Sequence, residues 1–457
     1  MNKSPRSKKA FDIQPDERAS LLVFIVIIAA NAISLEGTYV IATSGFLKNL
    51  RVEQFPLLGL VDMAILLVVS GFYALLIDRV PRLKFVQGML ISLAFLHLTF
   101  RLLFAYDVPT WLTYPGLYLI AEQQYILFPL AFWVLANDRF SVAQAKRLFP
   151  LIATGGLVGQ IIGSGLAGGS ARFFESRDIH PSELLILNAL LFLMAFVLLA
   201  LTAKNVTLAT RQGTSTFKIR DVLETGSDFV RNVPSFRLLA VSMVAVGFIL
   251  AVIEYHFLFT SDQAFKDIAD FQTFYGIYRM TLPLSTLVLQ GLLAGRVLQQ
   301  AGLKNTFPIM PATLFAAVGT MLVIPNVVGG AIGRFLARLA RNSIDRPAHQ
   351  TLQGLIPEER RGRVSTFMSS YLYVAGDFLG SGMLALIIFA ASRGWLVSNY
   401  SFYVYLGITL FVTALAFYMT WKMRAVYDSS LLDWRLARRR RGGGASVSSK
   451  LDDLIGS

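Results

Sequence analysis

The chain of 457 residues is 55% apolar and only 15% charged, with a mean hydropathy of +0.58. So little charge cannot cover the surface of a soluble protein of this length, which excludes an ordinary cytosolic enzyme and a disordered chain and points to a polytopic membrane protein. The 42 Lys and Arg outnumber the 28 Asp and Glu, giving +14, but they gather in short loops and tails, a topology signal rather than a nucleic-acid footprint; cysteine is absent, and with it disulfides, thiolate metal sites and cysteine nucleophiles.

Since about 20 apolar residues cross the hydrocarbon as a helix, the sequence predicts spans near 20–46, 56–77, 85–106, 114–136, 148–169 and 183–203, then 237–260, 271–295, 305–325, 329–356, 364–391 and 399–422. The expected fold is an all-α polytopic membrane protein of twelve transmembrane helices. Its parts are an N-terminal tail (1–19), a six-helix half (20–203), a connector (204–236), a second six-helix half (237–424) and a basic tail (425–457). The tenth span is the least apolar because it carries several arginines; without it the following loop falls on the wrong side. Placing the N-terminus inside gives inner segments about five times the Lys and Arg of outer loops, which predicts both termini in the cytoplasm of a bacterial inner (plasma) membrane.

The apolar run Leu21 to Ala30, followed by Ala30-Asn31-Ala32, has features of a cleavable signal, but apolar character resumes from Tyr39 to Leu47, so an uncleaved span is expected. In the connector, Phe217, Ile219, Val222, Leu223, Phe229 and Val230 alternate with charged residues, a pattern for an amphipathic helix on the inner membrane surface. Arg438 to Arg441, followed by Gly442 to Gly444, read either as a stop signal with a disordered end or as a site of attraction to anionic lipid.

The two halves repeat. At an offset of 217 residues Arg79-Val80 falls on Arg296-Val297, and Gly159-x-x-x-Gly163-Ser164-Gly165 falls on Gly376-x-x-x-Gly380-Ser381-Gly382. Asp62 falls on Arg279 at the same offset, and Glu36 matches Glu254 at 218. Two parallel six-helix halves, with substrate bound near the midplane between them, make the major facilitator architecture; the small-residue helices would give close contacts as one half rocks against the other. The segment Asp78-Arg79-Val80-Pro81-Arg82-Leu83-Lys84 resembles the facilitator signature loop, with Ala74 where a glycine usually stands. Asp78, Arg79 and Arg82 are therefore candidates for a conformational latch, the alternative being positive-inside charge alone.

Glu36, Asp62, Arg101, Glu122, Glu254, Arg279, Arg334, Arg338, Arg341 and Asp377 lie well inside the spans. At roughly 3 kcal/mol for each charge facing lipid, such a set must face protein or a water-filled cavity, and most members must be paired. On a regular helix Arg334, Arg338, Arg341, Asp345 and His349 share one face. Guanidinium forks suit a carboxylate or phosphate, so Arg279, Arg334, Arg338 and Arg341 are the candidate substrate-binding residues; a structural network with Asp377, Glu254 and Asp345 is the competing reading. Glu36 and Glu254 are candidates for coupling, or for pairing with Arg101 or Arg279. His97 and Arg101 are expected to meet Glu122, Gln123 and Gln124 in a polar lock. The four histidines are not spaced for a metal site. No phosphate loop of an ATP-driven pump and no hydrolase signature occurs, so neither cofactor nor metal is expected and the chain is not read as an enzyme.

Several stretches resemble the nucleotide transporters, the ATP/ADP translocases that form a divergent facilitator branch. These are Lys146-Arg147-Leu148-Phe149-Pro150-Leu151, Val233-Pro234-Ser235-Phe236-Arg237-Leu238-Leu239 with Ile253-Glu254, Ala340-Arg341-Asn342-Ser343, and Leu355-Ile356-Pro357-Glu358. The resemblance implies a secondary antiporter and gives Glu254 the place of the family's helix-seven glutamate. The family's helix-one lysine falls at Glu36, and its Lys-Glu pair of helix ten at Thr351 and Leu352. The combined expectation is an alternating-access carrier of a small organic or phosphorylated anion; a non-transporting scaffold or sensor with this fold, and a lipid flippase, are the alternatives.

Overall fold

The computed structural model describes residues 13–203, 219–289, 302–353, 356, 363–397 and 401–427, all regular elements among them being helical. Within this set the side chains of Asp16, 70–79, Val142, Lys146, Ala203, Ile219, Arg220, Leu303, Gln353 and Ser370 are not described. Outside it lie the Phe217 end of the connector, the Arg296-Val297 loop, Leu355, Pro357, Glu358 and residues 1–12 and 428–457 of the tails, including Arg438 to Arg441. The principal helices are α1 (Pro15–Asn49), α2 (Phe55–Arg79), α3 (Arg82–Ala105), α4 (Thr110–Arg139), α5 (Val142–Gly169), α6 (Leu184–Ala203), α7 (Pro234–Ala264), α8 (Ile268–Leu289), α9 (Ile309–Val323), α10 (Val327–Ala340), α11 (Tyr373–Ser392) and α12 (Ser401–Tyr427). Among the described residues ten helical segments are long and apolar enough to cross a membrane. Helices α8 and α10 are not among them, because Asp270 and Arg279 in one and Arg334 and Arg338 in the other interrupt the apolar run.

The chain divides into two compact units, Met1–Thr216 with Leu258–Val288, and Phe217–Phe257 with Leu289–Ser457, so that the division passes through α7. In the first unit α1 packs against α4, α5 and α6, and it is apolar nearly all round because it is buried on most sides. Phe24, Ile27, Phe128, Phe132, Ile152 and Phe192 form the centre of this core. The glycine stripe of α5 makes that packing possible. A Cβ on Gly159 would lie 2.6 Å from the Ala29 carbonyl oxygen, and one on Gly163 would lie 2.4 Å from that of Ile33. In the second unit the repeated motif does the same against α7: a Cβ on Gly376 would come within 2.0 Å of the Val244 carbonyl oxygen, and one on Gly380 within 2.7 Å of that of Phe248. The Gly-x-x-x-Gly pairs thus fix neighbours within each half, and the α5 stripe also packs closely on α8 of the second half, where a Cβ on Gly276 would lie 2.8 Å from the Ser164 carbonyl oxygen.

The connector forms a helix at Ile219–Asn232, but its apolar side is not spread on a membrane surface. Val222, Phe229 and Val230 are buried, and the last two join a cluster with Phe236, Leu239, Met243 and Met368, while Gly226 lies under the ring of Phe367. The physical reason is that the start of α7 and the residues before α11 offer this side protein to pack on.

Candidate functional site

Each unit holds a buried glutamate–arginine pair whose glutamates, Glu36 and Glu254, are repeat-related. In the first unit Glu36 of α1 accepts a 2.6 Å bond from Nε of Arg279 and a 3.1 Å bond from the Ser164 hydroxyl of α5. The guanidinium of Arg279 donates to the Tyr275 hydroxyl at 3.0 Å and stands 4.5 Å from the ring centre of Tyr39. Tyr39 lies one helical turn beyond Glu36, on the same side of α1, so carboxylate and ring grip the cation together. Glu122 of α4 interacts electrostatically with Tyr39.

In the second unit Glu254 of α7 takes both of its oxygens to Arg334, at 2.7 Å to Nε and 2.7 Å to a terminal nitrogen. Arg334 also lies 4.6 Å from the ring centre of Phe257, three residues after Glu254. The two halves therefore share a glutamate followed by an aromatic residue at i+3, each pair holding an arginine; this spacing was present in the sequence and is the signal that locates the partners. Arg338, one turn after Arg334, donates to Glu254 Oε2 at 2.9 Å. Its side chain is 38% exposed against 5% for Arg334, so a single carboxylate serves one enclosed and one accessible guanidinium. Asn326 caps the start of α10, accepting from the Val328 and Gly329 N–H groups, and Gly333 lets α10 sit close to the Ala317 carbonyl of α9.

The predicted single stripe of α10 is broken. A π-helical turn at Arg341–Asp345 carries the chain into a last helical segment, Arg346–Gln353. One extra residue in a turn rotates everything after it by about 100°. Arg334 and Arg338 accordingly meet Glu254, whereas the downstream residues gather at Tyr373. Tyr373 donates to Asp345 Oδ2 at 2.8 Å, His349 Nε2 lies 3.3 Å from Asp345 Oδ1, and the guanidinium of Arg341 stands 4.1 Å from the Tyr373 ring centre. A second π-helical turn, Phe367–Leu372, leads directly into Tyr373. Asp377 is half-buried in α11, its backbone beside Gly247 of α7.

The polar lock expected around His97 and Arg101 has other members. His97 Nε2 faces the hydroxyls of Ser34 and Thr38, and its Nδ1 bonds the Leu93 carbonyl. Arg101 pairs with Glu183, two bonds at 3.3 and 2.5 Å, since both stand near the same end of α3 and α6. Gln123 donates to buried Asp62 at 2.9 Å, and Gln124 to Asn31. Of the latch candidates, Arg82 pairs with Asp138 at the end of α4; the side chains of Asp78 and Arg79 lie outside the described residues. Among the described residues no group of three or more His, Cys, Asp or Glu is arranged to hold a metal ion.

Comparison with known structures relates this fold to membrane transporters. The nucleoside transporter NupG superposes with a TM-score of 0.65 at 15% identity, covering 88% of this chain and 99% of that one. An auto-inhibited peptide transporter of the POT family gives 0.62 at 11% identity, covering 89% and 96%. A bacterial homologue of the iron transporter ferroportin gives 0.60 at 16% identity, covering 90% and 100%. These likenesses show an all-α, polytopic, major-facilitator-like membrane fold. A search of curated proteins finds no match. The family model described as TLC ATP/ADP transporter matches residues 92–339, more than half of the sequence and the stretch that holds Glu254, Arg279, Arg334 and Arg338. The chain belongs to the TLC ATP/ADP transporter family, and is a membrane transporter rather than an enzyme.

Proposed function

We propose that this transporter has twelve transmembrane helices, with α8 and α10 as the two charged spans, and both termini on the cytoplasmic side of a bacterial inner (plasma) membrane. It carries an organic anion with a phosphate or carboxylate group by alternating access. The observation that supports this reading is the unequal sharing of Glu254. Arg334 takes both carboxylate oxygens and is enclosed; Arg338 takes a second bond to one of those oxygens and keeps an accessible side. Of the two guanidinium groups on this carboxylate, the accessible one, Arg338, is the one that can turn its fork to a phosphate. Arg341, stacked on Tyr373, adds to the positive field nearby. Arg334 is then the positioning residue that holds Glu254 still, and Arg338 the residue that meets the substrate. Arg279, gripped by Glu36, Tyr39 and Tyr275, forms the corresponding charge pair of the other unit, and Glu36 and Glu254 are the coupling candidates.

The family's printed description makes ADP and ATP the first probes. The test is exchange in proteoliposomes loaded in turn with ADP, ATP, inorganic phosphate, sugar phosphates and dicarboxylates. Saturable exchange of at least one phosphorylated or carboxylated anion is expected. Loss of one charge-assisted bond, worth about 1.5–3 kcal/mol, predicts that Arg338→Gln weakens it roughly ten- to a hundred-fold. A monodisperse preparation that exchanges none of these anions would overturn the reading in favour of a chain that has kept the fold without the transport.

A further inference from the structure

The two glutamate–arginine pairs differ in what they join. Glu254 of α7 and its partners Arg334 and Arg338 of α10 all belong by sequence to the second half. Glu36 and Arg279 come from opposite halves, since α1 is the first helix of one and α8 the second helix of the other. Around Arg279 the start of α8 is held against α5. Gln272 donates its amide to the Ala167 carbonyl at 2.8 Å, a Cβ on Gly168 would lie 2.9 Å from the Cα of Gly276, and one on Gly165 would lie 3.4 Å from Met280 Sδ. Further along, where α1 ends and α8 begins, Lys48 donates to the Lys266 carbonyl at 2.7 Å and exposed Arg172 pairs with exposed Asp270 at 3.1 Å. In the topology proposed above this end is the outer side of the membrane.

Two features let this joint part. Gly168 and Gly276 meet backbone to backbone, so at that point no side chain has to be unthreaded. Each member of the buried pair also keeps a bond inside its own half when the two separate: Glu36 to the Ser164 hydroxyl of α5, and Arg279 to the Tyr275 hydroxyl one turn back on α8. Neither charge is then stripped of all its partners, the condition that makes breaking a buried pair costly. Their side chains are 10% and 16% exposed, against 5% for Arg334, so water has a way in. While the pair is made, it ties three helices at one point, α8 to α1 through Arg279 and α1 to α5 through Glu36.

We propose that Glu36 and Arg279 form a reversible lock on the outer side, made in this structure and broken once in each transport cycle as the start of α8 leaves α1 and α5, while Glu254 and Arg334 stay paired throughout. The inference rests on the alternating-access reading and separates the two repeat-related glutamates by role: Glu254 holds the arginines of α10 in place, and Glu36 sets how readily the outer side opens.

The chain has no cysteine, so labels can be placed without background. The test uses full-length protein in nanodiscs with nitroxides on Glu175→Cys and Lys266→Cys, exposed sites just past α5 and just before α8, read by double electron–electron resonance without added substrate. A reference pair, Tyr106→Cys and Glu175→Cys, lies within the first half. The parent is expected to show mainly the shorter distance. Loss of one charge-assisted bond in Glu36→Gln predicts a ratio of longer to shorter distances raised roughly ten- to a hundred-fold, with the reference pair unchanged. Gly276→Val, which drives a side chain against the Ser164 carbonyl and leaves both charges in place, should raise the ratio too. Arg279→Lys, which keeps the charge but not the fork, should fall between the parent and Glu36→Gln. Distributions that are the same in the parent, Glu36→Gln and Gly276→Val overturn the proposal, as does an equal change in the reference pair, which would mean that the first half itself loosens. No substrate enters the measurement, so the lock can stand in a chain that exchanges no anion and can fail in one that does.

Discussion

Glu254→Gln is expected to destabilise the protein by about 3–5 kcal/mol, because it leaves buried guanidinium charge without its counter-ion. Arg334 is 5% exposed and takes both oxygens of that carboxylate, so water cannot replace what is removed. Glutamine keeps the shape of the side chain and one acceptor, which makes the loss electrostatic rather than steric. Arg338 contributes less to this loss, because its 38% exposure lets solvent screen it. Arg334→Gln should therefore cost less than Glu254→Gln, since Glu254 retains Arg338. The double variant should recover part of the loss, with a coupling on the order of 0.5–3 kcal/mol. Chemical and thermal unfolding of the three purified variants measures this. A loss under about 1 kcal/mol for Glu254→Gln, the size of a surface pair, would mean that the cluster is wet and loosely held.

The second large effect is at the glycine seams. Gly163→Ala, Gly376→Ala and Gly380→Ala each drive a methyl group against a backbone carbonyl, at 2.4, 2.0 and 2.7 Å respectively. A carbonyl cannot rotate away as a side chain does, so the helices must separate, at a cost of about 1–3 kcal/mol or more per site. In the first unit the displacement also draws Ser164 away from Glu36, whose bond it makes from the next position in the chain. Gly382→Ala is the internal control. It lies two residues beyond Gly380 on the same helix, a Cβ there meets nothing within 4 Å, and the better helix propensity of alanine predicts a neutral result or a gain of roughly 0.5–1 kcal/mol. Equal melting temperatures for Gly380→Ala and Gly382→Ala would contradict the packing described.

The features that the sequence made legible are those carried by period and offset. Span lengths, the paired glycine motifs and the correspondence of Glu36 with Glu254 all follow from apolar runs and one constant spacing. Partner choice did not follow. Arg101 could be placed on α3 from its sequence, but Glu183 lies 82 residues away at the start of α6, and only the folded packing of α3 on α6 brings them together. A regular helical period puts the arginines of α10 in one row, and no residue type marks the π-helical turn at Arg341–Asp345 that separates Arg338 from the Tyr373 cluster. The connector helix was legible as amphipathic, but amphipathicity does not say whether the apolar side meets lipid or protein. The aromatic partners Tyr39 and Phe257 stand at the same offset as the glutamates, 218 residues apart, and this spacing is legible in the sequence.

Under the proposed division of labour on Glu254, Arg334 holds the carboxylate and Arg338 meets the substrate. The most direct measurement is the affinity of the exchanged anion for the wild type and for Arg338→Gln, by titration calorimetry at fixed salt, with unfolding recorded on the same samples. A Kd raised roughly ten- to a hundred-fold at nearly unchanged stability is expected, because Arg334 still holds both oxygens of Glu254. An unchanged Kd in Arg338→Gln, with the protein folded, would contradict it.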